Sequence, residues 1–309
     1  EFKDGLERTG SLSEVKEAVR WGTDFMLKAA THVNDHCTYY AQVGRGAAKD
    51  CDDDACKFDH GYWGRPEDYA RDYAYASLRR TYAINSTHPG TEIWASASAA
   101  LAAGYKLLRN EDRIYAAQLL GVAKKLFSCA NSASHNENHL WLQEAGLPEV
   151  VPQYESHGFS DELGWAAAWL YDATGDVKYR NNFKDGMRRG GPRQDRWYYE
   201  GFAASWDDVN AMAKLKMLTV TSPDNRYEDR AHLMQFVWQY LEKWRTCEGD
   251  GRHFTGCGLC WAMQWAPLRY SSTTALLMAV FASNFPQHDS SPAYAAWAAR
   301  QLDYVLGDN

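Results

Sequence analysis

The sequence predicts an all-α protein made of stacked helical hairpins. Through most of the chain beyond position 91, apolar residues recur at three- and four-residue steps, the spacing of helices that bury one face. These segments come in Ala-rich pairs joined by short links, as antiparallel neighbours in a helical fold do. No fixed sequence period runs through the pairs, which points away from an open solenoid and toward a closed ring.

In chain order, 11–32 predicts an amphipathic helix. Ser11 and Glu14 have capping-box spacing, and Leu12, Val15, Val19, Phe25, Met26 and Ala29 fall on helical steps. The run 39–44 is strand-like. A loop rich in Asp, Gly and Cys follows, and Gly and Pro then keep 60–68 irregular. The first hairpin is 91–109 with 111–130, facing inward through Ile93, Trp94, Ala97, Leu101 and Leu108, then Ile114, Ala117, Leu120, Val122, Ala123 and Leu126. A polar loop, 131–153, leads to the segment 154–176. There Ser160 is placed to cap a helix, Asp161 and Glu162 put negative charge in its first turn, and Gly175 ends it. That helix is apolar on more than one face and should lie between others. Helices at 177–189, 207–220, 227–244, 271–285 and 293–306 complete the pattern, with a polar turn, GMRRGGPRQDR, after the first of them.

The chain of 309 residues can bury a full core, as one large domain or two. Thirteen Trp and 19 Tyr exceed what packing alone usually needs, and aromatic faces stack on sugar rings as well as on each other. A net charge of −7 argues against a nucleic-acid partner. No apolar run is long enough to cross a bilayer. The opening EFKDGLERTG has no basic or apolar leader character, so any signal peptide is expected to be gone or upstream.

The seven cysteines are an odd number, so at least one is free or pairs outside this chain. Cys51 and Cys56 bracket a polar loop, and Cys247 shortly precedes C-G-L-C; both look like local staples of an oxidising compartment. Asn85-Ser86-Thr87 is a glycosylation sequon. A zinc site from Cys247, His253, Cys257 and Cys260 is a weaker reading, since the spacing fits no standard knuckle.

Several separated motifs, in order, carry a resemblance. They are Y-A-Q-V-G at 40–44, His60 to Asp68, Pro89-Gly90 ahead of an Ala-rich helix, and Tyr154 followed by D-E-L-G-W-A-A-A-W-L-Y-D-A-T-G-D. Then come S-W-D-D at 205–208, W-A-P-L-R-Y at 265–270 and Y-V-L-G-D-N at 304–309. Together they resemble family 9 of the glycoside hydrolases, the cellulase family, over nearly the whole chain. The resemblance implies an (α/α)6 barrel, a toroid of helical hairpins, with 1–309 as a single catalytic-type domain that is incomplete at both ends. It implies a sugar cleft lined by His60, Trp63, Tyr154, Trp265, Arg269 and Tyr270. Trp63 and Trp265 would stack on glucose rings, while His60, Arg269 and Tyr270 would hydrogen-bond hydroxyls. Near Tyr154 this chain has Ser156 or His157 where relatives have tryptophan, which weakens that platform. The resemblance also implies a structural calcium at Asp161, Glu162 and Asp207 or Asp208, oxygen ligands suited to that ion, and no other cofactor. The run Asp52-Asp53-Asp54 reads instead as a solvated loop.

Family members hydrolyse β-1,4-glucan with inversion, using a carboxylate base and a carboxylic acid set apart on either side of the bond. The motifs carrying those groups fall outside this sequence, so no catalytic residue is assigned within it. The expectation is a secreted endoglucanase whose acid and base lie outside 1–309, acting on β-glucan or cello-oligosaccharide, with this chain inactive alone. The alternative is a non-catalytic glucan-binding or structural relative that kept the groove.

Overall fold

A computed structural model of the protein describes residues 2–44, 62–72, 81–132, 156, 158–189, 196, 201–222 and 227–308. The chain divides into two compact units, Leu12–Phe159, and Glu1–Ser11 with Ser160–Asn309. A short helix α1 (Lys3–Arg8) opens the second of these.

The unit Leu12–Phe159 holds helix α2 (Leu12–Ala29), strand β1 (Tyr39–Val43), a 3-10 turn at Pro66–Asp68, helix α3 (Tyr69–Asp72), strand β2 (Thr81–Ile84), and helices α4 (Thr91–Leu108) and α5 (Arg113–Ala130). The expected hairpin is α4 with α5. Trp94, Leu101 and Leu108 are buried on α4. On α5 the buried stripe is Ala116, Leu119, Ala123 and Leu126, at three- and four-residue steps. The expected Ile114 and Ala117 face outward instead, Ile114 at 87% exposure, because the buried stripe is rotated from the one they would define. Between the two helices, Ser98 Oγ donates to the Ala123 carbonyl at 2.8 Å. Helix α2 crosses α4 closely: a Cβ on Gly104 would lie 2.9 Å from Thr23 Cγ2. Strand β1 pairs antiparallel with β2, Tyr39 opposite Ile84, with a bulge between Tyr40 and Gln42. The disulfide Cys37–Cys129 joins the segment after α2 to the end of α5, and Trp94 Nε1 donates to the Cys37 carbonyl at 3.1 Å.

The unit containing Ser160–Asn309 continues with α6 (Ser160–Thr174), α7 (Val177–Met187), α8 (Asn210–Val220), α9 (Arg230–Thr246), the two-residue strands β3 (His253–Phe254) and β4 (Cys260–Trp261), α10 (Pro267–Asn284) and α11 (Ser291–Leu306). Successive helices pair as α6/α7, α8/α9 and α10/α11. Helix α6 is buried as expected: Leu163, Ala166, Ala167 and Leu170 have no exposed surface. Gly175 follows its end at φ +69°, donating to the Tyr171 carbonyl at 2.8 Å.

Several helix starts differ from the sequence expectation: α9 begins at Arg230 rather than 227 and α11 at Ser291 rather than 293, and two others have a visible local cause. Helix α8 begins at Asn210 rather than 207, because 205–209 closes a turn in which Ser205 N–H donates to the Asp208 carbonyl at 2.9 Å. Helix α10 begins at Pro267 rather than 271. Proline suits a first helical turn, and Ala266 ahead of it is left-handed at φ +48°. Strands β3 and β4 form a small ribbon. Gln301 of α11 clamps it, accepting from Cys260 N–H and donating to the Gly258 carbonyl, both at 2.9 Å. The disulfide Cys247–Cys260 overturns the zinc reading, since two of its four ligands are bonded to each other. Cys51 and Cys56 lie outside the described residues.

Candidate functional site

Of the six residues expected to line a sugar cleft, His60 and Tyr154 lie outside the described residues, as does His157. Trp63 belongs to the unit Leu12–Phe159 and is fully exposed. Its segment is held by local packing: Tyr62 meets Tyr69 edge to face at 5.2 Å, and Tyr62 Oη donates to the Arg65 carbonyl at 3.3 Å. A Cβ on Gly64 would lie 2.4 Å from Tyr62 Oη, so the glycine beside Trp63 lets the tyrosine ring fold over the loop.

Trp265, Arg269 and Tyr270 belong to the other unit and cluster where α10 begins. Trp265 is 79% exposed, immediately ahead of the left-handed Ala266 and Pro267. Tyr270 is buried within the first turns of α10. The Arg269 guanidinium lies 4.5 Å over its ring and donates to its hydroxyl, so the buried phenol orients an exposed cation. Tyr270 therefore positions Arg269 rather than presenting a free face of its own. The nearby β3–β4 ribbon adds a His253–Trp261 ring contact at 5.0 Å and the half-exposed Phe254.

The residues expected to bind calcium form a different kind of site. Asp161 and Glu162 are buried in the first turn of α6. Asp161 Oδ2 accepts from the Val209 N–H at 2.9 Å, and Asp208 Oδ1 from the Asn210 N–H at 3.0 Å, so both carboxylates sit at the N-terminus of α8, where its dipole favours negative charge. The Asp207 N–H donates to Ser205 Oγ at 3.3 Å. Between the two carboxylates stands Arg196, with Nε 3.6 Å from Asp161 Oδ1 and Nη1 3.7 Å from Asp208 Oδ2. Burial pushes the Asp208 carboxyl up to about 7, helped by the Asp161 charge and opposed by Arg196. Burial also raises Asp161, against the pull of Arg196 and the Val209 N–H. Sequence reasoning missed Arg196. The signal was present in a charge balance: acidic groups at the start of an otherwise apolar helix need a cation, and the polar turn after 189 offers arginines.

Two of these donors, Asp161 and Asp208, do not fit calcium as they stand. Calcium takes six to eight oxygens. Here one oxygen of each aspartate faces the guanidinium and the other accepts a backbone N–H. No group of three His, Cys, Asp or Glu side chains able to hold a metal occurs among the described residues.

Asn85 closes a tight turn after β2, its Oδ1 accepting from the Thr87 and His88 N–H groups at 2.9 Å each. Thr87 of the sequon is exposed.

Comparison with known proteins decides the family. The sequence model of "Glycosyl hydrolase family 9" matches residues 1–309. The chain belongs to glycosyl hydrolase family 9. It is 31% identical over 315 residues to Endoglucanase 4 of Bacillus sp. (strain KSM-522), covering 100% of this chain and 44% of that protein. Among solved structures it is similar to the endoglucanase of the termite Nasutitermes takasagoensis, with a TM-score of 0.80 and 29% identity over 99% of this chain and 61% of that one. It is also similar to endoglucanase CelQ from Clostridium thermocellum, complexed with cellobiose and cellotriose, with a TM-score of 0.75 and 25% identity over 99% of this chain and 45% of that one. The fold class is thus the all-α, (α/α)6 class of family 9. The chain spans about half the length of the curated relatives it matches.

Proposed function

We propose that this family 9 chain is part of a secreted, inverting β-1,4-glucanase, and that 1–309 supplies sugar-binding surface while the base and acid carboxylates come from residues outside it. The observation that carries the reading is Trp265, a large aromatic face left 79% exposed beside a guanidinium held by the buried Tyr270. Such a face gains free energy by covering an apolar ring surface, and an oriented cation adds hydrogen bonds to hydroxyls. A cello-oligosaccharide offers both groups. The exposed Trp63 supports the same reading within its own unit.

The described carboxylates nearest the family motifs are occupied elsewhere. Asp161 and Asp208 face Arg196, and Glu67 and Asp68 pair with Arg65 and Arg71. Inverting hydrolysis needs an acid and a base spaced to admit a water, and we assign neither role to these four. The reaction itself involves no cofactor. Two disulfides among the described residues fit an oxidising compartment, and no described helix is long and apolar enough to cross a membrane. The Asn85 turn would carry its glycan on an exposed loop.

The test uses the native protein on carboxymethylcellulose, with reducing ends counted and the anomer of fresh product read by NMR. Release of the inverted α-anomer supports the reading, and retention of configuration overturns the mechanism. Cello-oligosaccharide binding without turnover by the native protein would move the assignment to the non-catalytic alternative. Trp265→Ala should weaken cello-oligosaccharide binding by about tenfold, the equivalent of one lost stacking contact of about 1.4 kcal/mol. Unchanged affinity would remove Trp265 from the site.

A further inference from the structure

We infer that Arg196 is the permanent cation of the acidic cluster at the start of α6 and α8, and that this chain holds the cluster together without a divalent metal. The geometry is that of a bridge. One guanidinium spans two carboxylates from different elements, Nε toward Asp161 Oδ1 at 3.6 Å and Nη1 toward Asp208 Oδ2 at 3.7 Å. Both side chains are largely out of water, Asp161 at 1% and Asp208 at 14% exposure, and so is Arg196 at 13%. A counter-charge favours the ionised form of a buried carboxylate, and arginine keeps its charge at any pH a protein meets.

The other oxygens of the two aspartates accept the Val209 and Asn210 N–H groups, so the α8 N-terminus supplies further positive potential. The cation is anchored through its own backbone as well: Arg196 N–H donates to the Met187 carbonyl at the end of α7 at 2.8 Å. Arg196 thus does with one fixed side chain what a metal would do by ligation. It ties the starts of α6 and α8 to the end of α7. A divalent ion that bridged Asp161 Oδ1 and Asp208 Oδ2 would have to displace the guanidinium. The inference concerns the stability of the fold and stands apart from glucan hydrolysis.

The test is thermal unfolding of the native protein in excess EGTA and in saturating calcium chloride, with metal analysis of the purified protein. The expected result is the same Tm in both and no stoichiometric calcium. Arg196→Met should lower Tm by several degrees in EGTA and regain part of the loss when calcium is added, because the vacated carboxylates then have room for an ion. Arg196→Lys keeps the charge but not the fork, and should fall between the two while remaining insensitive to calcium. A wild-type Tm that rises with calcium and falls with EGTA would overturn the inference, as would a stoichiometric bound calcium. So would an Arg196→Met variant as stable as the wild type. Should Arg196→Met fail to fold, the wild-type arms and the lysine variant still decide.

Discussion

A single missing side chain sets the approach of α6 to α7. Gly164 lies one turn into α6, and a Cβ there would sit 2.4 Å from Met187 Cγ and 2.9 Å from its Sδ. Met187 is fully buried, so its chain cannot swing out to water. Gly186 returns the favour, its missing Cβ lying 3.0 Å from Leu163 Cβ. Two glycines thus let two helices touch through backbone and Met187. Glycine in a helix interior costs roughly 1 kcal/mol relative to alanine, so close packing has to return at least that much. Gly164→Val should therefore destabilise. A branched side chain recovers little helix propensity, and overpacking a tight core costs about 1–3 kcal/mol. A lowered Tm, partly restored by Met187→Ala in the same chain, would confirm the contact. A Gly164→Val protein as stable as wild type would show that α6 and α7 do not meet this closely. The glycine was visible in the D-E-L-G-W motif, but its partner was not, because Met187 lies 23 positions on and sequence spacing says nothing about which residue of the next helix faces it.

At the scale of elements, helix α5 is held at its start by Asp112. Its Oδ1 accepts the Tyr115 N–H at 3.0 Å, and its Oδ2 accepts from Arg20 of α2, also at 3.0 Å. The Tyr115 N–H and then the Arg20 side chain hold this carboxyl below the usual carboxylate range. The sign follows: a depressed pKa gives stability that is present above the unfolded value, about 3.9, and is lost as pH falls through the folded one. The Tm of the wild type should drop on acidification below about pH 4, and Asp112→Asn, which can still cap but carries no charge to titrate, should flatten that limb of the curve. Parallel curves would remove Asp112 from the acid response. Capping chemistry of this kind was only partly legible. Helical pairs and the end of α6 at Gly175 were readable from period and glycine. The starts of α8 and α10 were not, since a turn built by Asp208 and a left-handed Ala266 act in three dimensions. The short strands β2, β3 and β4 were missed because two to four residues carry no period to read. Within the candidate site, Trp265 and Arg269 were legible from W-A-P-L-R-Y, whereas the burial of Tyr270 beneath Arg269 was not.

Across the whole chain, the disulfides act on very different lengths of polypeptide. Cys37–Cys129 closes a loop with a sequence separation of 92 inside the unit Leu12–Phe159, and Cys247–Cys260 one of 13 inside the other. The local staple expected near the C-G-L-C segment is the second of these; the long one joins cysteines whose separation gave no hint of pairing. Cross-linking stabilises chiefly by removing conformations from the unfolded chain, and its contribution grows with the logarithm of loop length. By that scaling the long crosslink should contribute roughly 1–2 kcal/mol more than the short one, on top of a contribution of about 3 kcal/mol common to both. The paired substitution Cys37→Ser with Cys129→Ser should therefore lower Tm further than Cys247→Ser with Cys260→Ser. For a unit of this size 1 kcal/mol corresponds to about 2–4 °C, so the difference should be measurable by calorimetry. A reversed order would mean that the β3–β4 ribbon depends on its crosslink for native contacts as well as for unfolded-state entropy. The Gln301 clamp on Cys260 and Gly258, together with the Ser271 Oγ bond to the Cys260 carbonyl at 2.5 Å, would then be failing to hold the ribbon alone. Those three hydrogen bonds come from α10 and α11 and do not involve the sulfurs, so the ribbon should keep its place without the crosslink, and the order set by loop length should hold.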